Sequence, residues 1–109
     1  MKVEKSQCPI TIVTGERLDT PEWSLLNEKI KDMVHECGVQ LVVDMGKTRF
    51  IDSTGLGKLV SLHRTVTKNQ GHMKIARPTP NILEMFKITR LDTVFEIHDS
   101  VGSAVESFT

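Results

Sequence analysis

The nine residues Arg49-Phe-Ile-Asp-Ser-Thr-Gly-Leu-Gly57 lie between two patterns of different period. Ahead of them, Leu41-Val-Val-Asp-Met45 is a short β-branched apolar run; behind them, Leu56, Leu59, Val60, His63 and Val66 recur at helical spacing. The stretch therefore reads as an elbow between a strand and a helix. Because Leu41, Val42 and Val43 run without polar interruption, the strand fits the middle of a parallel sheet buried on both faces. The helix, expected from Ser53 or Thr54 to Asn69 with Gly71 as its stop, leads into a further strand from His72 to Ala76. A helical crossover of that length makes the two strands parallel, in a right-handed βαβ unit.

The flanks extend this pattern. Lys2 to Ser6 and Pro9 to Thr14 read as strands, the second through the β-branched Ile10, Ile12 and Val13. Pro9 has no amide hydrogen to donate, which places it at a sheet edge or at the first residue of its strand. After a turn from Gly15 to Asp19, Thr20-Pro-Glu opens a helix with a hydroxyl cap, a proline at the first helical position and an acid in the first turn. Leu26, Ile30, Met33, Val34 and Cys37 make its apolar stripe, Gly38 ends it, and Trp23 in its first turn is expected to pack against a loop, or, if exposed near Asp19, to anchor a partner. Pro78 and Pro80 break the chain before a short helix, Asn81 to Ile88, and Thr93 to His98 reads as a last strand. Asp99 or Ser100 caps a final helix with Val101, Ala104, Val105 and Phe108 on one face. Strands alternating with helices predict an α/β domain with a four- to five-stranded mixed sheet and about four helices, filling residues 1–109.

Charge and cysteine usage exclude several functions. Fourteen basic and fourteen acidic side chains cancel, so nothing steers the chain generically toward nucleic acid or anionic lipid. No run approaches the roughly 20 apolar residues that cross a bilayer, so a cytoplasmic protein without a membrane partner is expected. Cys8 and Cys37 form no CxxC pair, and His35, His63, His72 and His98 are scattered, so neither a disulfide nor a metal site is expected. No cofactor is implied either. Gly46-Lys-Thr resembles the end of a phosphate-binding loop, but position 41, where the upstream glycine would stand, is a strand leucine. Asp52 and Ser53 are adjacent, no histidine is close in sequence, and Ser-Thr-Gly-Leu-Gly differs from a hydrolase Gly-x-Ser-x-Gly, so catalysis is not expected.

That leaves the elbow. Asp52, Ser53 and Thr54 are all residue types that accept hydrogen bonds from the first free amides of a helix, and capping is the ordinary role of such residues. Gly55 and Gly57 open the backbone to close approach. The positive end of the peptide dipole at a helix start would also tolerate a phosphate on Ser53, while a docked partner would meet about two added negative charges.

Phe50-Ile-Asp-Ser-Thr-Gly-Leu-Gly57 resembles the signature of the bacterial anti-sigma factor antagonists, a STAS-domain family. Gly15-Glu-Arg-Leu-Asp19 resembles the family's early Gly-x-Leu-Asp turn, with one residue more between Gly15 and Leu18. The stretch from Ile82 to Ile97 resembles its late helix, turn and strand. Arg90 stands where the family often has a glycine, which predicts a turn that closes differently. The resemblance implies a single STAS-like domain whose unphosphorylated form binds an anti-sigma factor that is itself a serine kinase. It implies phosphorylation at Ser53, with Thr54 as the alternative acceptor, and resetting by a PP2C-type phosphatase. The implied contact surface comprises Asp19, Asp52, Ser53, Thr54, Gly55 and Leu56, on a monomer or weak dimer. The rival reading is an unphosphorylated STAS module that serves as a scaffold or as a subunit of a lipid or anion transport complex.

Overall fold

In a computed structural model of the chain, which describes residues 2–4, 10–18 and 40–108, Leu41, Val42 and Val43 are sealed from solvent. They lie on a strand paired on both sides, so each must find an apolar neighbour above or below the sheet. In chain order the strands are β1 (Lys2–Glu4), β2 (Ile10–Val13), β3 (Arg17–Leu18), β4 (Gln40–Asp44), β5 (Phe50–Ile51), β6 (His72–Ala76) and β7 (Glu96–His98). The helices are α1 (Ser53–Lys68), α2 (Pro80–Ile88) and α3 (Val101–Glu106). The main sheet has five strands in the order β1-β2-β4-β6-β7. Its β1–β2 pair is antiparallel and its other pairs are parallel, so the mixed α/β architecture expected from the sequence is the one observed.

Alternation along the strands sends side chains to two faces. Leu41, Val43, Ile12, Met73 and Ile75 point to one face, where they meet Leu59, Leu62 and Val66 of α1 and Ile82 and Phe86 of α2. Each such side chain, fully buried, contributes roughly 1.5–3 kcal/mol relative to exposure. Of the predicted α1 stripe, Leu59 and Val66 are buried while Leu56, Val60 and His63 are half-buried, and Leu62 completes the inner line. On the opposite face Val42 and Ala76 pack on Ala104, with Val101, Val105 and Phe108 of the C-terminal segment around them. Ser100, one of the two expected caps, accepts the Ser103 N–H at 3.0 Å. β2 opens at Ile10 and is paired on both sides, so it is not an edge strand.

Four expectations need correction or fall outside the described residues. The helix predicted between Thr20 and Gly38, with Trp23, Asp19 and both cysteines, lies outside them. α1 ends at Lys68, and Gln70, one residue before Gly71, takes the left-handed conformation (φ 62°). Gln70 N–H bonds to the Thr67 carbonyl and Gly71 N–H to the Val66 carbonyl at 2.8 Å, so the glycine sits one position beyond the left-handed residue. The last strand begins at Glu96 rather than Thr93, because Leu91–Thr93 form a 3-10 turn. That turn is held by bonds from Thr93 N–H and the Thr93 hydroxyl to the Arg90 carbonyl. Its purpose in the packing is to drop Phe95 edge-on against Phe86 and His63, with ring centroids 5.5 Å apart in both pairs.

Arg90 itself adopts φ 61°, so the turn after α2 closes in the conformation a glycine would favour, with an arginine in it. A side chain there costs roughly 1–2 kcal/mol, partly offset by the roughly 0.5–1 kcal/mol that glycine loses to unfolded-chain freedom. Arg90→Gly is therefore expected to raise stability by about 0.5–1 kcal/mol, read as a higher urea midpoint with unchanged slope. A lower midpoint would show that the Arg90 side chain makes contacts worth more than the strain.

Beneath α3 lies a charged cluster. Lys74, on the inner strand β6, has a side chain only 9% exposed and pairs with Glu96 at 2.9 Å. It also reaches the Ser107 hydroxyl and sits 4.2 Å from the centre of the Phe108 ring. Glu96 receives a second contact from His98 Nε2 at 2.6 Å. The His98 hydrogen bond, and after it the one from Lys74, pull the Glu96 carboxyl down to about 2. A carboxylate whose folded value is depressed stabilises the fold above its unfolded value, and that stabilisation disappears as pH falls through the folded value. The urea-midpoint difference between wild type and Glu96→Gln is thus expected to be constant at neutral pH and to shrink between about pH 4.5 and 2. The effect is modest because the Glu96 side chain is 54% exposed and screened by solvent. A difference independent of pH across that window would refute the pairing.

Candidate functional site

The elbow is built from the ends of the central strands. Asp44 closes β4, and its carboxylate, 7% exposed, accepts the Gly46 N–H at 3.0 Å. The same carboxylate receives both arms of Arg77, from the end of β6, at 2.9 Å each. That hydrogen bond and charge pair hold the Arg77 guanidinium above its ordinary value. A Cβ on Gly46 would lie 2.6 Å from Arg77 Cζ, so the guanidinium occupies the space a side chain would need. Beside it the fully buried Thr48 donates to the Gly15 carbonyl at 2.7 Å and touches the Thr14 hydroxyl. Thr14 N–H bonds to the Asp44 carbonyl at 3.0 Å. Thr79 hydroxyl donates to the Thr48 carbonyl at 2.9 Å, tying the start of α2 to the same loop.

From this anchored loop the chain runs out through β5. Arg49 and Phe50 N–H both reach the Glu16 carbonyl, and β5 pairs in parallel with β3, Arg17 opposite Phe50 and Leu18 opposite Ile51. Ile51 is buried and Phe50 is 59% exposed. Asp52 then caps α1: its backbone is extended, and its carboxylate accepts the Gly55 N–H at 2.7 Å. Capping therefore falls to Asp52 alone among the three candidates. Ser53 and Thr54 are the first two residues of the helix and are exposed, and among the described residues their hydroxyls have no hydrogen-bond partner.

Asp52, Ser53, Thr54, Gly55 and Leu56 thus come together on one helical turn, with Gly55 buried and Leu56 half-buried against the core. Asp19 lies outside the described residues, though Leu18 before it is in register with Ile51. Gly57 has nothing within 4 Å of where a Cβ would stand. Among the described residues no three His, Cys, Asp or Glu side chains are placed to hold a metal ion. Burial lowers the His63 imidazole below its ordinary value, which favours the neutral ring beside Phe95. Sequence reading missed Asp44, Arg77, Thr14, Thr48 and Thr79, and the one available signal was an aspartate ending an otherwise apolar strand.

A five-stranded mixed sheet with helices on both faces, presenting a serine and a threonine at a helix start, defines the class of domain. The chain belongs to the STAS-domain family, whose model matches residues 1–104. It is similar to the anti-sigma-B factor antagonist of Bacillus subtilis (strain 168), at 25% identity over 95 residues, covering 87% of this chain and 86% of the relative. The structure of the anti-sigma factor antagonist SpoIIAA in its unphosphorylated form superposes with a TM-score of 0.81 at 17% identity, covering 98% of this chain and 94% of that one. An anti-sigma-factor antagonist (STAS) domain protein from Planctomyces limnophilus gives 0.80 at 16% identity, covering 97% and 95%. These two structures share the fold. No described helix is long and apolar enough to cross a membrane.

The division of labour at the helix start has a measurable consequence. Asn caps as well as Asp, whereas Ala lacks the acceptor and costs about 1 kcal/mol. Asp52→Asn is expected to keep wild-type stability and Asp52→Ala to lose about 1 kcal/mol by urea unfolding. Equal stability of the two variants would show that another group caps α1.

Proposed function

We propose that this protein is an anti-sigma factor antagonist, acting in the cytoplasm as a single STAS module, that switches partners by phosphorylation of Ser53. Unphosphorylated, it binds an anti-sigma factor of the serine-kinase type through Asp52, Ser53, Thr54, Gly55, Leu56 and the turn at Asp19, and so releases a sigma factor. The observation that carries this reading is the exposed Ser53 hydroxyl at the head of α1, without a hydrogen-bond partner among the described residues, beside an aspartate that already does the capping. Gly57 supports it as well. A glycine inside a helix costs roughly 0.5–1 kcal/mol relative to alanine, and nothing in the described structure requires one there, which leaves close approach by another molecule as its use.

The kinase transfers the γ-phosphoryl group of ATP to Ser53. The serine oxygen bonds to phosphorus as the bond to the ADP oxygen breaks, and the serine proton passes to a base on the kinase. The new dianion faces outward at the dock, where it repels the partner and resists desolvation. A loss of about 3 kcal/mol shifts a dissociation constant more than a hundredfold, enough to redirect the kinase to its sigma factor. A PP2C-type phosphatase removes the phosphoryl group. Thr54, one residue further into the helix, is the alternative acceptor.

The test begins with unphosphorylated protein as bait in its native cells and mass spectrometry of what is retained. The retained kinase is then incubated with ATP and wild-type or Ser53→Ala protein. Wild type is expected to gain one phosphoryl group and release the kinase, while Ser53→Ala stays bound and unmodified. Phosphate on Thr54 of the Ser53→Ala protein would reassign the acceptor. Protein that carries no phosphate in its native cells and retains no kinase would leave the scaffold or transport-subunit reading in its place.

A further inference from the structure

The chain has no net charge, but its charges are not mixed. Residues 46–77 hold seven of the fourteen basic side chains and one of the fourteen acidic ones, Asp52. Lys74 and Arg77 of that segment are committed to Glu96 and Asp44. The other five, Lys47, Arg49, Lys58, Arg64 and Lys68, have no ion pair among the described residues, and all but the half-buried Lys58 are exposed. α1 contains no acidic residue at all. At about 3.6 residues per turn, Ser53, Gly57, Ser61, Arg64 and Lys68 share the solvent face opposite the buried Gly55, Leu59, Leu62 and Val66, with the half-buried Lys58 at its border. Lys47 and Arg49 lie in the loop that feeds the head of the same helix. The result is a positive track about 15 Å long on the helix, from Lys58 to Lys68, continuing the turn that carries Ser53 and Thr54.

We infer that this track docks an acidic protein surface, the face of the kinase that seats on the elbow; the inference rests on the function proposed above and adds the chemistry of the partner. A protein surface fits better than a polyanion for two reasons. The remaining residues carry an equal excess of acid, which cancels the long-range attraction a nucleic acid or anionic bilayer would need. The head of the track is also partly apolar, with Phe50 exposed and Leu56 half-buried, as in a protein interface with an apolar centre and a charged rim. An acidic partner makes the switch a matter of sign. The track draws the partner's carboxylates toward Ser53, and a phosphoryl group placed there meets them with like charge while offering Lys47 and Arg49 a competing anion.

The experiment uses the full-length protein and the kinase recovered with it, by stopped-flow or surface plasmon resonance. Arg64→Glu/Lys68→Glu reverses the track away from the acceptor serine, and Lys87→Glu/Arg90→Glu is the charge-matched control at the end of α2 and in the turn after it. The track variant is expected to associate at least about tenfold more slowly at low ionic strength, with the difference fading as salt is raised. Arg64→Gln/Lys68→Gln should fall between it and wild type. Equal association of track variant and wild type, with the kinase still bound, would overturn this inference and leave the function reading intact. Salt-sensitive binding of wild type, lost in the track variant, to a DNA duplex or to phosphatidylglycerol vesicles would assign the track to that polyanion instead. If wild type binds no kinase at all, both readings fall together.

Discussion

Asp44 is the residue on which the geometry of the elbow depends. It ends the central strand with its carboxylate 7% exposed, and such a group is stable only when its oxygens are answered. Gly46 N–H and the two arms of Arg77 answer them. Removing a partner would leave a buried acceptor at a cost of about 1–3 kcal/mol, so the three groups behave as a unit. That unit decides three things. The N–H of Gly46 turns the chain immediately after β4, the Arg77 guanidinium fills the space above that turn, and Arg77 adopts φ 54° in doing so. Meanwhile Met45 N–H reaches the Ala76 carbonyl and Thr14 the Asp44 carbonyl, at 2.9 and 3.0 Å. The ends of β2, β4 and β6 therefore meet at one point, and the loop that leaves it has little freedom before it becomes β5 and α1.

The parts of this design that were legible in the sequence are those with a repeating signal. The uninterrupted Leu41-Val42-Val43 run announced a strand covered on both faces, and the spacing from Leu56 to Val66 announced the helix that follows. The parallel β4–β6 pairing followed from the length of their crossover. The C-terminal helix was readable from Ser100 and the face made by Val101, Ala104, Val105 and Phe108. What failed had no period to read. β3 and β5 contribute two residues each, too few for any alternation, and their pairing depends on a Glu16 carbonyl reached from across the chain. The Asp44–Arg77 and Thr14–Thr48 contacts join residues more than thirty positions apart, where local patterns carry no information. Thr93 and Val94 are β-branched and suggested strand, but hydrogen bonds to Arg90 and Leu91 bend them into a turn that seats Phe95 in the core.

The candidate site was legible in composition and not in its assignment of roles. Three neighbouring residues could each have capped the helix, and sequence alone has no means of choosing. The structure gives the cap to Asp52, whose extended backbone aims its carboxylate back at Gly55 N–H. Ser53 and Thr54, already helical, project from the first turn. A capping serine would have its oxygen engaged with the backbone, and modifying it would disturb the helix start. A serine at the first helical position does neither, and the amide dipoles behind it favour a negative group.

That separation bears on how a covalent charge could act here. The elbow is fixed from below by the Asp44 unit and capped by Asp52, so a phosphoryl group on Ser53 would disturb neither of these contacts. Its effect must then be exerted outward, on whatever lies against the first turn of α1. Binding would change while the fold did not. The positive track points the same way. Cations spread along one helix face set a field that attracts an acidic surface from a distance, and a dianion at the head of that face cancels the field where contact is closest. With the Asp44 unit and the Asp52 cap left in place, a domain whose charge is segregated along one helix face could convert one phosphoryl group into a choice of partner through surface charge alone.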